Sequence, residues 1–118
     1  MFLIDTNVIS EARKGQRADA GVQAFWAEVT QREKPLFLSA ITIGELRRGV
    51  ALIRHRGDQS QARQLEDWLA AVMDAFSDRV LGLDADAGQV WGRLRVPSPH
   101  NAIDKQIAAI ALLHDLRR

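Results

Sequence analysis

An α/β fold built on a parallel sheet is what the sequence predicts, and three observations carry that reading. Short apolar runs, MFLI, LFLS and RVLGL, stop abruptly and suit strands buried on both faces. The connections between them run to roughly 30 to 40 residues and carry helical spacing, long enough for crossover helices. The 118 residues, 47% hydrophobic and 26% charged, have the balance of an ordinary globular domain able to bury one core.

The elements follow in order. MFLI opens the chain as the first strand, near residues 1–4, and DTNVISEARKG reads as a short helix ended by Gly15. ADAGVQAFWAEVTQRE sets Val22, Phe25, Trp26 and Val29 on one helical side, and Pro35 stops it before the second strand, LFLS at 36–39. ITIGELRRGVALIRHRG spaces Ile43, Leu46, Val50 and Ile53 as a helix with Gly57 at its end. QSQARQLEDWLAAVMDAFSDR turns Leu65, Trp68, Leu69, Val72 and Phe76 inward, and is also a candidate subunit interface. A third strand near 80–83 precedes a helix through DADAGQVWGRLR. Two prolines make VPSPHN a loop. NAIDKQIAAIALLHDL is the last helix, with Ile103, Ile107, Ile110 and Leu113 on one stripe. No repeat or composition break divides the chain, so residues 1–118 read as a single domain.

Composition excludes several classes. With no cysteine there is neither a disulfide framework nor a thiolate metal site, which suits a cytoplasmic location. The start lacks a basic segment ahead of its short apolar run, so a secretory leader is not expected, and no run approaches the ~20 apolar residues that span a bilayer. A net charge of +1 gives no global field for polyanions, so nucleic-acid binding has to rest on local patches. One such patch is Arg47, Arg48, Arg54, His55 and Arg56. Cations at a helix C-terminus also have an ordinary reason to be there. His55, His100 and His114 lack the spacing of a zinc motif, and Trp26, Trp68 and Trp91 fall on apolar helix faces as core or dimer contacts.

Acidic residues stand where a parallel sheet gathers its loops. Asp5 follows the first strand, Glu45 lies about a turn into the helix after the second, and Asp104 opens the last helix. In right-handed βα units the ends of the strands share one edge, so the three carboxylates are placed to face one crevice. Helix capping accounts for the same residues. Thr42 and Glu45 have capping-box spacing, Asn101 and Asp104 repeat it, and Asp5 is itself a good N-cap. Spacing alone leaves both readings open.

LIDTNVIS, LSAITIGELRRG and NAIDKQIAAIALLH, in this order, resemble the signature segments of PIN domains, and more narrowly those of VapC-type toxin ribonucleases of toxin–antitoxin modules. The resemblance covers nearly the whole chain. It implies a three-layer α/β/α fold, an acidic cluster binding Mg²⁺ or Mn²⁺, cleavage of RNA, a homodimer, and a cognate antitoxin that silences the enzyme. By the same resemblance Asp5, Glu45 and Asp104 match the first three acidic positions, Thr6 and Asn7 the polar pair beside the first, and Ser39 a small polar residue near the site. Arg47 or Arg48 would meet RNA or antitoxin. Related toxins continue past the last helix into another strand and a fourth acid. HDLRR ends the sequence here, and Asp115 falls too early to be that acid. The first strand is therefore expected to keep an unpaired edge or to be covered by another chain.

The chemistry explains why such a family needs acids. Hard divalent cations take oxygen ligands near 2.1 Å. Two carboxylates about 5 Å apart at an effective dielectric near 20 repel by roughly 3 kcal/mol, a sign that a dication reverses. The resemblance then implies Asp5 and Asp104 as metal ligands, directly or through water. Glu45 is expected to complete the cluster, as a further ligand or by orienting the attacking water, with Thr6, Asn7 and Ser39 hydrogen-bonding the acids or those waters. Two competing readings remain: a weakened PIN domain acting through antitoxin binding or dimerisation, and a phosphohydrolase with Asp5 as nucleophile. The second expects an aspartate where Asn7 stands.

Overall fold

The computed structural model describes residues 2–4, 6–14, 17, 20–24, 27, 35–96 and 100–114. Its sheet has three parallel strands in the order β1 (Phe2–Leu3), β2 (Leu36–Ser39) and β3 (Val80–Leu81). Phe2 pairs with Leu36 and Leu3 with Phe37, while Leu38 pairs with Val80 and Ser39 with Leu81. β1 thus lies at an edge of this sheet among the described residues. β1 and β3 are each shorter than the apolar runs at 1–4 and 80–83. Burial continues through the turns that leave them: Ile4 is buried and its N–H still donates to the Phe37 carbonyl at 2.9 Å, and Leu83 packs against the core beyond β3.

Successive strand residues point to opposite faces of a sheet, and that alternation builds two cores. Ile4, Leu36 and Leu38, joined by the half-buried Phe2 and Val80, meet α1 (Thr6–Ala12), α2 (Ala40–His55) and α3 (Gln59–Ala75) through Ile9, Leu46, Val50, Leu69, Val72 and Phe76. Leu3, Phe37 and Leu81 face the other way, onto Ala87 of α4 (Ala85–Leu94) and Ile107, Ile110 and Ala111 of α5 (Ala102–Leu113). The result is the three-layer α/β/α arrangement. Each fully buried leucine, such as Leu38 or Leu69, contributes about 1.5–3 kcal/mol of transfer free energy.

Local chemistry sets the helix ends. Asp58 Oδ1 accepts from the Gln61 N–H at 3.0 Å and Asp84 Oδ1 from the Ala87 N–H at 2.9 Å, starting α3 and α4. After α2, Gly57 takes φ +96°, the left-handed conformation that glycine adopts without a Cβ penalty. Residues 20–24 are helical as predicted; Gly15, Phe25, Trp26 and Val29 lie outside the described residues, as do Pro97, Ser98, Pro99 and Asp115.

One side-chain expectation is corrected. In α5 the stripe fails at both ends. Ile107 and Ile110 are buried, but Ile103 is 50% and Leu113 38% exposed, and Ala109 and Ala111 are buried with the two isoleucines. Helical phase puts Ile103 in line with them, yet it precedes the part of α5 that lies over the sheet. On α3, Leu69 and Val72 are buried, and the half-buried Leu65 and Trp68 pack against the same core. Among the described residues no helix is long and apolar enough to cross a membrane.

Candidate active site

In a parallel sheet the chain leaves every strand at the same edge. β1 leads there, through Asp5, into α1, and β2 runs directly into α2. Asp5 lies outside the described residues, but Thr6, the next residue in the chain, is described and joins a network across that edge. Ser39 Oγ accepts from the Thr42 N–H at 2.9 Å and its own hydroxyl reaches Thr42 Oγ1 at 3.1 Å. Thr6 Oγ1 stands 3.2 Å from Thr42 Oγ1 and 2.8 Å from Glu45 Oε1.

A hydroxyl has one proton, and an ionised carboxylate only accepts. The Thr6 proton therefore goes to Glu45, the shorter contact, and the Thr42 hydroxyl donates back to Thr6. The protons then run in one direction, from Ser39 to Thr42 to Thr6 to the Glu45 carboxylate. Ser39 and Thr42 are each 0% exposed, so unpaired hydroxyls there would be costly and the ordered chain satisfies them.

This geometry removes the capping-box reading of Glu45. The N-cap of α2 is Ser39, not Thr42, and its side chain already takes the Thr42 amide. Glu45 thus sits in the second turn, beyond reach of a capping box, and its carboxylate crosses to α1 instead. Asn101 does not cap with its side chain either: it adopts φ 58°, ψ 46° and makes no side-chain cap bond. Asp104 occupies the first turn of α5 and is exposed. Glu45, Asn101, Ala102, Ile103 and Asp104 line one open depression of about 450 Å³. Two of the three predicted acids therefore share a surface. Among the described residues no three His, Cys, Asp or Glu side chains come together.

The remaining candidates divide. Thr6 touches an acid directly. Ser39 acts one step removed, holding Thr42 rather than an acid, because its oxygen is spent on the helix start. Asn7 is on the exposed side of α1 and has no bond to Ser39, Thr42, Thr6 or Glu45. Arg47 is not a free cation: Arg47 Nη1 and Arg54 Nη2 grip the two oxygens of Glu66 at 2.8 and 2.6 Å, tying α2 to α3. The bonds from Arg54 and then Arg47, with their charges, hold the Glu66 carboxyl below its ordinary range. Arg48 is exposed beside them, and His55, His100 and His114 are on the surface.

Sequence reasoning missed two residues. Thr42 entered only as a cap, although S-x-x-T at a strand-to-helix junction already signals a hydroxyl at the third helical position facing the cap. Trp91 reads from the sequence as a core or dimer contact, yet its Nε1–H donates to the Ala102 carbonyl at 3.1 Å, at the start of the helix that carries Asp104.

Comparison with known proteins now bears on this edge. The family model of the PIN domain matches residues 2–118. The chain is a PIN domain. It is 34% identical over 122 residues to the toxin FitB of Neisseria gonorrhoeae, covering 98% of this chain and 84% of FitB. It is also 34% identical to the VapC ribonuclease Y4jK of Sinorhizobium fredii, over 97% of this chain and 81% of that protein. Among solved structures, FitAcB from Neisseria gonorrhoeae superposes with a TM-score of 0.82 at 31% identity, covering 98% of this chain and 84% of the matched chain. The small parallel sheet between helical layers is therefore the PIN-domain fold.

Proposed function

We propose that this PIN domain is a divalent-metal-dependent endoribonuclease and the toxin of a toxin–antitoxin pair. The observation that carries the proposal is the Glu45 carboxylate. It turns from its own helix start to the Thr6 hydroxyl, one residue after Asp5, and lines a depression with Asp104. Relatives named as a toxin and as a ribonuclease support the biological half of the reading.

The donor chemistry fits a hard cation. Carboxylates and hydroxyls supply only oxygen, the ligand type of Mg²⁺ or Mn²⁺. With Oε1 held by Thr6, Glu45 keeps Oε2 as a second acceptor. Asp5 and Asp104 are the proposed ligands, directly or through water, with Glu45 completing the set. When bound, the cation lowers the pKa of water and stabilises charge on the attacked phosphate. The protein's own contributions are separable. Thr6 fixes the rotamer of Glu45, and Glu45 accepts a hydrogen bond from the attacking water and orients it. Water attack then breaks an RNA phosphodiester bond. Exposed Arg48 is available to RNA backbone or antitoxin. A cytoplasmic homodimer silenced by a cognate antitoxin completes the proposal.

The test is cleavage of RNA by the full chain with Mg²⁺ or Mn²⁺ and with chelator. Asp5→Asn, Glu45→Gln and Asp104→Asn are each expected to lower the rate by roughly a hundredfold or more while thermal unfolding stays cooperative. Undiminished cleavage in chelator, or by any of the three variants, would refute the assignment. Absence of cleavage and of Mn²⁺ binding by the wild type, with tight binding to its antitoxin, would favour the weakened-domain reading.

A further inference from the structure

We infer that Trp91 is a positioning residue for the active site, acting through the backbone of α5 on Asp104; the inference rests on the nuclease reading above. An N-cap normally has extended backbone and a side chain that accepts an amide of the first turn. Asn101 has neither: its backbone is left-handed and its side chain makes no cap bond. The N-cap of α5 thus lacks its usual side-chain bond, and Asp104 stands in the turn that follows it.

Trp91 supplies a clamp from outside. Its indole Nε1–H donates to the Ala102 carbonyl at 3.1 Å, from α4 to the first residue of α5. A carbonyl has two lone pairs, so this bond coexists with the helical one. The ring is itself held, because the Arg95 guanidinium lies over it, 4.9 Å from its centroid. Arg95 Nε is buried without a hydrogen-bond partner, consistent with a side chain placed for the ring contact rather than for pairing of that nitrogen. Farther along, Ala87 is 0% exposed and lets α4 and α5 pack closely around Ile107 and Ile110. That apolar packing is non-directional. The Trp91 bond is directional and lies two residues from Asp104, so it sets where the carboxylate stands along the depression shared with Glu45. Misplacement of a reacting or liganding group by about 1 Å can cost on the order of a hundredfold in rate.

The experiment compares the wild type with Trp91→Phe and with a protein carrying benzothienylalanine at position 91, in which sulfur replaces the indole N–H and the ring shape is kept. Two readouts are taken: amide hydrogen exchange at Lys105 and Gln106 without metal, and Mn²⁺ affinity by titration. Lys105 N–H makes the first helical bond, to the Asn101 carbonyl at 3.0 Å, so it reports the first turn directly. Exchange about tenfold faster at these two amides, with Mn²⁺ binding weakened about tenfold, is expected. Unchanged exchange overturns the inference, and so does faster exchange with unaltered Mn²⁺ affinity. If Trp91→Phe fails to fold, the benzothienylalanine protein carries the comparison. A wild type that binds no Mn²⁺ instead removes the nuclease reading, while the exchange data still judge the clamp.

Discussion

Thr6→Val isolates the hydroxyl on which the reading of Glu45 depends. The substitution keeps the shape of the side chain and deletes one donor. Two contacts disappear: the 2.8 Å bond to Glu45 Oε1, and the 3.2 Å contact through which Thr42 disposes of its proton. The first is charge-assisted and of a kind worth about 1.5–3 kcal/mol, but Thr6 and Glu45 are half-buried and water replaces part of that. The second strands one hydroxyl proton between Ser39 and Thr42, both fully buried, and either can still bond the other. A net loss of about 1–2 kcal/mol follows, or roughly 4–8 °C in Tm for a domain of this size. The Glu45 carboxylate is then free to change rotamer, and a fall of about 10–100-fold in Mn²⁺ affinity or RNA cleavage is expected. Thermal unfolding, Mn²⁺ titration and a cleavage assay are run on Thr6→Val and Thr6→Ser together. Serine restores the donor and should recover most of the loss. Wild-type metal affinity and cleavage in the valine variant, or a serine variant as impaired as valine, would refute the argument that this hydroxyl orients Glu45.

Three further outcomes are expected. Glu66 has its pKa lowered in the folded protein by Arg54 and Arg47, so its stabilising contribution is present above the unfolded value and lost as pH falls through the folded one. Urea midpoints of wild type and Glu66→Gln should therefore differ at neutral pH and converge below the usual carboxylate range, about pH 4, and the neutral-pH gap should shrink in high salt. Asn101→Ala should destabilise by about 1 kcal/mol and Asn101→Gly hardly at all, by thermal melt, because only alanine is penalised at φ 58°. Leu69→Ala, at a position 0% exposed in the core under α3, should cost about 2–5 kcal/mol by urea unfolding.

Legibility in the sequence followed the physics of each feature. LFLS was readable residue for residue as β2, because a proline precedes it and a serine that caps the next helix ends it. The inward set of α3 was readable because its helix is amphipathic along its whole length. α5 was not, since IAAIALL is apolar nearly all round and periodicity cannot tell the buried Ala109 from the exposed Leu112, at 62%. Glu45 and Asp104 line one depression, but the orientation of Glu45 was not legible in the sequence. A glutamate three residues after a threonine has the same spacing whether it caps or reaches another helix. Only the identity of the true cap, Ser39, separates the cases, and that depends on where β2 stops. Arg47 looked like a solvated cation because Glu66 lies 19 residues away and pairs with it only once α3 has folded back on α2.

The fold that brings Glu45 and Asp104 to one depression also limits how each can relax. Carboxylates crowded without a cation repel, and a lone acidic side chain on a helix surface would answer by rotating into solvent. Glu45 is denied that response by a bond to a different helix, backed by hydroxyls whose burial makes any rearrangement expensive. Asp104 sits exposed at the first turn of α5, so the backbone on which it stands also governs its position. Two different supports can therefore be tested, the Thr6 bond to the Glu45 side chain and the Trp91 bond to the α5 backbone that carries Asp104. Perturbations should separate accordingly. Loss of the Thr6 hydroxyl acts on Glu45 with the backbone undisturbed, whereas loss of the Trp91 donor acts on Asp104 by way of the amides of α5. A double variant lacking both should show nearly additive losses in Mn²⁺ binding free energy if the two supports are independent. A strongly sub-additive result would mean that one support already acts through the other, and that the edge behaves as a single unit.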